Sequence, residues 1–200
     1  MKDYAFDRAS VLVVDDSVWM RVILRQMLKS LGFSRIQETE SAEAALALVE
    51  NAPPDIVLVD WDMAPMNGLE LTRRIRRLPG EARFVPVIMI SAYSTLGNVL
   101  AARNAGVNEF LVKPASPQTL YHHLVAVIER PRLFVEAPGY TGPDRRRKGA
   151  ADTGTPRRRS TDHDAPRPQG PADMHLTQSE ISAIMSGAAD VPAQPAEARG

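Results

Sequence analysis

Five short apolar runs recur along the first 130 residues, separated by longer segments whose apolar positions lie three and four residues apart. The runs are SVLVV (10–14), SRIQET (34–39), DIVLVD (55–60), VPVIMIS (85–91) and NEFLV (108–112). Four of these runs are apolar at consecutive positions, which is typical of strands that are covered on both faces. The pattern therefore predicts a five-stranded parallel sheet.

The segments between the runs have the spacing of amphipathic helices. Ser17 and Ser41 stand where N-caps are expected, and Gly32 stands where the first helix should end. Strands that alternate with helices predict an α/β fold, in which right-handed crossovers place helices on both faces of the sheet. We expect a doubly wound sheet with the flavodoxin-like strand order 2-1-3-4-5.

The composition changes near Arg130 and Pro131. Residues 131–200 contain nine of the 16 prolines and seven of the 12 glycines, and such a content does not favour a packed core. We therefore predict four regions: a folded domain at 1–130, a disordered linker rich in proline, glycine and arginine at 131–173, a short amphipathic helix at 174–187 and a disordered tail at 188–200.

The composition also excludes several classes of function. The chain has no cysteine, which excludes disulfides, thiol catalysis and cysteine-bound zinc. No apolar run reaches the roughly 20 residues that are needed to span a bilayer. The first ten residues include acidic side chains and lack a hydrophobic signal core, so we expect a cytoplasmic protein that has no membrane partner.

Four of the five predicted strands end in, or are directly followed by, polar side chains that could act together in one site. Asp15 and Asp16 follow the first strand, Asp60 ends the third, Ser91 ends the fourth and Lys113 follows the fifth. Ligands of doubly wound sheets bind beyond the carboxyl ends of the strands, so these side chains should converge there. Three carboxylates suit Mg²⁺, and a bound cation would offset the repulsion between the two adjacent aspartates.

A carboxylate beside Mg²⁺ can also act as a nucleophile and form an aspartyl-phosphate. Metal, ammonium and hydroxyl groups neutralise the oxygens of an incoming phosphoryl group, and Lys113 and Ser91 supply the last two. Asp60 is therefore the residue that we predict to be phosphorylated.

The first domain resembles the receiver domain of bacterial two-component response regulators, in particular the chemotaxis type. The resemblance covers residues 9–130 and rests on VLVVDDS together with Arg21, on DIVLVDWDMAPMNGLEL, on VIMISA and on AGVNEFLVKP. It implies a phosphorylated signalling protein that acts through protein contacts and is not a metabolic enzyme. The phosphoryl donor would be the phosphohistidine of a sensor histidine kinase.

The resemblance also implies roles for single residues. Asp16, Asp60 and the main-chain carbonyl of Asp62 would bind the metal, and Asp15 would act through water. Asp62 and Tyr93 depart from common family patterns at positions that flank the path of the attacking water. The lifetime of the phosphoryl group therefore does not follow from the resemblance.

Two switch residues and one backbone feature are implied in the same way. Ser91 would move toward the phosphate, and Phe110 would turn inward and reshape the face formed by the fourth and fifth helices and the strand between them. Phe110 replaces a frequent tyrosine and cannot make a phenolic hydrogen bond. The Lys113-Pro114 peptide would be cis, which is a minority state even before proline.

Two other functions fit parts of the chain. IVLVDWDM (56–63) with a later serine and lysine also resembles the haloacid-dehalogenase-type phosphatases, which however place their paired acids late and usually carry a cap insertion. The arginine runs GPDRRRKG (142–149) and TPRRRS (155–160) would suit nucleic-acid phosphates. Only Tyr140 accompanies them as an aromatic residue, so a solvated linker is the favoured interpretation.

The segment MHLTQSEISAIMSG (174–187) combines a capping box, formed by Thr177 and Glu180, with an apolar stripe. A helix this short is marginal in water and needs a partner groove. The segment is similar to the N-terminal peptide of the flagellar motor switch protein FliM, which docks on a chemotaxis receiver. We expect it to bind the fourth-to-fifth-helix face of a receiver, its own or another, and a motility protein is a further candidate partner. The stripe residues are Leu176, Ile181, Ile184 and Met185.

Overall fold

The computed structural model describes residues 6–129, 132–137, 140–144 and 175–187. The central strands are β1 (Ser10–Val14), β2 (Arg35–Thr39), β3 (Ile56–Asp60), β4 (Val87–Ser91) and β5 (Glu109–Val112). The helices that connect and follow them are α1 (Val18–Ser30), α2 (Ala42–Asn51), α3 (Gly68–Ile75), α4 (Leu96–Ala105) and α5 (Pro117–Glu129). Three further elements are β6 (Phe134–Ala137), β7 (Tyr140–Pro143) and α6 (Gln178–Met185).

The five central strands form one parallel sheet in the order β2-β1-β3-β4-β5, which confirms the predicted topology. All residues of β3 and β4 are buried, whereas β2, at the edge, is partly exposed. The order reverses between β1 and β3, and the carboxyl ends of these strands flank the crevice in which such sheets bind ligands. Asp60 is the last residue of β3 and therefore lies at this crevice.

Local sequence signals begin and end the helices, and Ser17 and Ser41 occupy the predicted N-cap positions. The side chains of Ser17, Ser41 and Thr95 each accept a hydrogen bond from a backbone N–H in the first turn of α1, α2 and α4. Gly106 ends α4 with a φ of 93°, a left-handed conformation that glycine adopts without a steric cost.

The apolar side chains of the strands alternate between two cores, one on each face of the sheet. In β3, Ile56 and Leu58 pack with α1 and α5, whereas Val57 and Val59 pack with α2, α3 and α4. Leu58 is fully buried, so its replacement by alanine should cost about 2–5 kcal/mol. Burial on both faces explains why these strands read as continuous apolar runs.

An antiparallel hairpin of β6 and β7 follows the domain and corrects one prediction. We expected a disordered linker at 131–173, and this prediction is wrong for 132–137 and 140–144. The Phe134 ring lies 5.0 Å from the guanidinium carbon of Arg76, which is 3% exposed. The remaining residues of the predicted linker and the predicted disordered tail lie outside the described residues.

Arg76 anchors the surface that the hairpin covers. Its guanidinium donates hydrogen bonds to the carbonyl oxygens of Gly106 (3.0 and 2.9 Å) and Val85 (2.8 Å) and to the side-chain oxygen of Asn108 (2.9 Å). Burial lowers the pKa of Arg76 to about 9, so the side chain stays protonated at neutral pH. The hairpin thus covers a buried cation whose hydrogen bonds are satisfied by main-chain and amide oxygens.

The helix predicted within 174–187 is observed as α6, with the capping box between Thr177 and Glu180. It packs against α4 and β5 of its own domain. Three residues of the stripe are buried and Leu176 is partly buried, all in the same core as Phe110 of β5. Within the described ranges, no helix combines the length and the apolarity needed to cross a membrane.

Candidate functional site

Three carboxylates meet at the carboxyl ends of β1 and β3. One oxygen each from Asp15, Asp16 and Asp60 lies within 4.8 Å of the others. Asp15 and Asp60 are buried, at 1% and 6% exposure, whereas Asp16 is exposed. The side chain of Asp62 is exposed in the loop after β3. The fold thus brings together the acidic residues that the strand ends predicted.

Arg21 holds the loop that carries the first two acids. Its guanidinium donates to the main-chain oxygens of Asp15 (2.7 Å) and Asp16 (3.3 Å). The backbone N–H of Ser17 donates to the Asp15 carboxylate at 2.9 Å. The sequence motif included Arg21, but the motif did not show that this side chain binds the main chain of the acidic loop.

Lys113 reaches the acids from the end of β5. Its ammonium nitrogen lies 2.8 Å from an oxygen of Asp60 and 3.6 Å from an oxygen of Asp15. The backbone N–H of Lys113 also donates to the carbonyl oxygen of Ser91 at 2.8 Å. The Lys113-Pro114 peptide is cis, as the resemblance implied.

Burial of the acids leaves negative charge that Lys113 only partly offsets. Desolvation raises the pKa of Asp60 above its usual value of 3.8, and Lys113 opposes this rise. Desolvation also raises the pKa of Asp15, against the hydrogen bond from Ser17. One carboxylate oxygen of Asp15 is buried and accepts no hydrogen bond. The Lys113 ammonium group lies 3.6 Å from this oxygen, beyond hydrogen-bonding distance, so the oxygen can still bind a hard divalent cation such as Mg²⁺.

The predicted switch residues lie on β4 and β5, on the same side of this cluster in the sheet. Ser91 is buried at the end of β4, and its hydroxyl accepts a hydrogen bond from the Tyr93 N–H at 3.0 Å. Phe110 is fully buried, and its ring makes an edge contact with Trp61 at a centroid distance of 6.3 Å. Phe110 therefore adopts the inward orientation in this structure.

Gly68 is a site residue that the sequence did not single out. A Cβ atom at this position would lie 2.2 Å from the carbonyl oxygen of Asp60, so only glycine allows α3 to begin this close to β3. The Gly68 N–H donates to the carbonyl oxygen of Trp61 at 3.0 Å. A glycine at a helix start gives no sequence signal that distinguishes this close approach from an ordinary turn.

Comparisons with known proteins agree with this geometry. A family model described as the response regulator receiver domain matches residues 11–125, and the chain belongs to that family. The chemotaxis protein CheY-3 of Vibrio cholerae is 37% identical over 120 residues, which cover 60% of this chain and 92% of that protein. CheY1 of Helicobacter pylori is 40% identical over 121 residues, covering 59% and 95%.

Solved structures show the same fold. The V. cholerae chemotaxis protein CheY4 superposes with a TM-score of 0.56 at 28% identity, covering 60% of this chain and 98% of that structure. A response regulator described as putative, from Chloroflexus aurantiacus, gives a TM-score of 0.57 at 27% identity, covering 61% and 98%. The chain is thus a CheY-like two-component response regulator, and the haloacid-dehalogenase alternative finds no support. The hairpin and α6 lie beyond the matched residues.

Proposed function

We propose that this receiver accepts a phosphoryl group on Asp60 from the phosphohistidine of a sensor histidine kinase and signals through protein contacts. The observation that carries the proposal is the position of Asp60. It ends the central strand β3, lies within an acidic cluster and has the Lys113 ammonium group 2.8 Å away. This arrangement suits a carboxylate nucleophile whose product gains negative charge.

The transfer forms one bond and breaks one. A carboxylate oxygen of Asp60 bonds to phosphorus while the P–N bond to the donor imidazole breaks, and the departing nitrogen takes the electron pair. The Lys113 ammonium group moves from pairing with the carboxylate to pairing with a phosphoryl oxygen. The Ser91 hydroxyl donates to another phosphoryl oxygen once it turns away from the Tyr93 N–H.

Asp16, Asp60 and the main-chain carbonyl of Asp62 would hold Mg²⁺, with Asp15 acting through water. The cation, when bound, supplies positive charge that offsets the phosphoryl oxygens. The Asp15 oxygen that accepts no hydrogen bond and the spacing of the three carboxylates support this assignment. The protein itself supplies the nucleophile, the ammonium group and the hydroxyl.

The output would pass through the face formed by α4, β5 and α5, where Phe110 links the core to the surface. The relatives named for chemotaxis, and the similarity of 174–187 to a motor-switch peptide, favour motility-type signalling in the cytoplasm. The docking of α6 on α4 and β5 agrees with a peptide segment that recognises a receiver. The arginine runs at 145–147 and 157–159 lie outside the described residues, so no structural observation favours nucleic-acid binding.

A phosphotransfer panel tests the proposal. Purified full-length protein is mixed with autophosphorylated histidine kinases, and transfer of labelled phosphate is followed on gels. At least one kinase should label the wild-type protein and leave Asp60→Asn unlabelled. Equal labelling of both proteins would show that another residue accepts the phosphoryl group.

A further inference from the structure

Helix α6 contacts the two chain segments that carry Lys113 and Ser91. One segment is the end of β5, which leads directly into Lys113. The other is the loop between β4 and α4, which directly follows Ser91. Because Gln178 of α6 contacts one segment and the residues directly before α6 contact the other, docking of this part of the chain fixes the spacing of the two segments.

The contact with β5 is made by Gln178. Its amide nitrogen donates to the carbonyl oxygen of Phe110 at 2.8 Å, and its amide oxygen accepts from the N–H of Val112 at 2.9 Å. A side-chain amide thus pairs with the edge of β5 as a neighbouring strand would. The pair fixes the backbone immediately before Lys113.

The contact with the β4–α4 loop is made by the residues before α6. The N–H of Leu176 donates to the carbonyl oxygen of Ser94 at 2.9 Å, and the Ser94 hydroxyl lies 3.3 Å from Nδ1 of His175. His175 also forms an antiparallel bridge with Thr95, the N-cap of α4. These bonds hold the loop three and four residues after Ser91.

The C-terminal end of α6 is held separately. Arg103 of α4 donates to the carbonyl oxygen of Ile184 at 3.4 Å, and Arg132, which precedes β6, donates to that of Met185. Between these ends, Ile181 is fully buried in the core that contains Phe110. The docked helix therefore packs in the core where Phe110 is turned inward.

We propose that α6 is a positioning element of the phosphoryl-acceptor site, with Gln178 and Ile181 as its positioning residues. By fixing the end of β5 and the β4–α4 loop, it places Lys113 and Ser91 for the incoming phosphoryl oxygens. The inference rests on the proposed phosphorylation of Asp60. Coupling between two sites is reciprocal, so phosphorylation should tighten the docking of α6 by the factor by which α6 favours the phosphorylated state.

The test uses three full-length variants in a Trp19→Phe background, which leaves Trp61 beside Asp60 as the sole tryptophan. Gln178→Glu keeps the shape of the side chain but cannot donate to the Phe110 carbonyl. Ile181→Asp removes the apolar anchor. Ser179→Asp adds the same charge at an exposed position of α6 and is the matched control. Trp61 fluorescence follows the rate of phosphorylation by acetyl phosphate with Mg²⁺.

Gln178→Glu should slow phosphorylation by about fivefold, the effect of losing one net hydrogen bond. Ile181→Asp should slow it by about tenfold or more, because a charge at this buried position opposes docking. Ser179→Asp should stay within about twofold of the parent. Circular dichroism and the Mg²⁺-induced fluorescence change report whether each variant keeps its fold and its metal site.

Rescue in trans separates positioning from general stability. A synthetic peptide of residues 174–187 should restore the rate of Ile181→Asp saturably, and the same peptide with Gln178→Glu should restore it less at equal concentration. The unsubstituted peptide should bind more tightly to protein treated with beryllofluoride, which mimics the phosphoryl group, than to untreated protein. Two results would overturn this inference and leave the proposed function standing. One is that the Gln178→Glu and Ile181→Asp variants are phosphorylated as fast as the parent. The other is a folded Ile181→Asp protein that the peptide does not rescue. A parent protein that takes no phosphoryl group would overturn the proposed function and this inference with it.

Discussion

The ammonium group of Lys113 lies 2.8 Å from the carboxylate of Asp60, and both partners are largely withdrawn from solvent. The proposed phosphoacceptor is therefore one half of an ion pair before any phosphoryl group arrives. Removing one partner of a buried pair leaves an uncompensated charge, which costs more than the pair itself contributes.

Lys113→Ala should for this reason lower the free energy of unfolding in the absence of Mg²⁺. The side chain is 21% exposed, so we expect a loss of about 1–3 kcal/mol, below the range for a fully buried pair. Urea unfolding measures it. The exposed Lys29→Ala, on α1, is the control and should change stability by about 0.5 kcal/mol or less. A Lys113→Ala protein as stable as its parent would contradict the ion-pair interpretation.

Mg²⁺ should raise the thermal midpoint of the protein, because a ligand that binds only the folded state stabilises it by mass action. At a concentration 100 times the dissociation constant the gain would be about 2.7 kcal/mol. Asp16→Asn should reduce the gain, and Glu50→Gln, which removes an exposed carboxylate from α2, should not. An equal gain in both variants would place the cation elsewhere.

Asp15→Asn should raise the stability of the metal-free protein at neutral pH. Burial raises the folded-state pKa of Asp15 above 3.8. The favourable contribution of Asp15 to the free energy of unfolding is therefore complete below pH 3.8 and is lost as the pH rises through the raised pKa. Asparagine removes the charge and keeps an oxygen that can accept from Ser17. Unfolding midpoints should be measured with a chelator present, from pH 3.8 upward through the raised pKa. They should fall less with rising pH for Asp15→Asn than for its parent. Parallel curves of midpoint against pH would contradict this prediction.

Gly68→Ala should destabilise the protein and impair phosphorylation, because the new methyl group meets the backbone of Asp60 at 2.2 Å. Overpacking of this kind costs about 1–3 kcal/mol. The control is Gly97→Ala in α4, where a Cβ meets nothing within 4 Å and helix propensity should add up to about 1 kcal/mol. Chemical denaturation distinguishes the two, and a loss of the same size at both positions would argue against the close approach at Gly68.

The parts of the structure that the sequence predicted depend on local signals. Apolar runs such as DIVLVD locate the strands, and serines such as Ser17 and Ser41 begin the helices. Asp60 and Lys113 could be placed in one site because parallel strands end at the same edge of a sheet. Each of these inferences needs only a few neighbouring residues and one rule of topology.

The features that the sequence did not reveal depend on distant contacts. The sequence of β7, YTGP, is rich in residues that favour turns, so it does not predict a strand. It forms a strand here because the hairpin packs over Arg76. Gln178 belongs to a recognisable peptide pattern, yet its pairing with β5 joins residues 66 and 68 positions apart. Gly68 is informative only once the backbone of Asp60 is known to lie against it.

The pairing of Gln178 with β5 also has a consequence for solubility. β5 ends the sheet, and an open strand edge offers unpaired N–H and C=O groups to which another chain can add. The Gln178 amide satisfies the Val112 N–H and the Phe110 carbonyl, and α6 covers the apolar surface beside them. A chain that loses this helix would expose the edge of β5, to which a strand of another chain can pair. We therefore expect the helix to reduce aggregation through this edge.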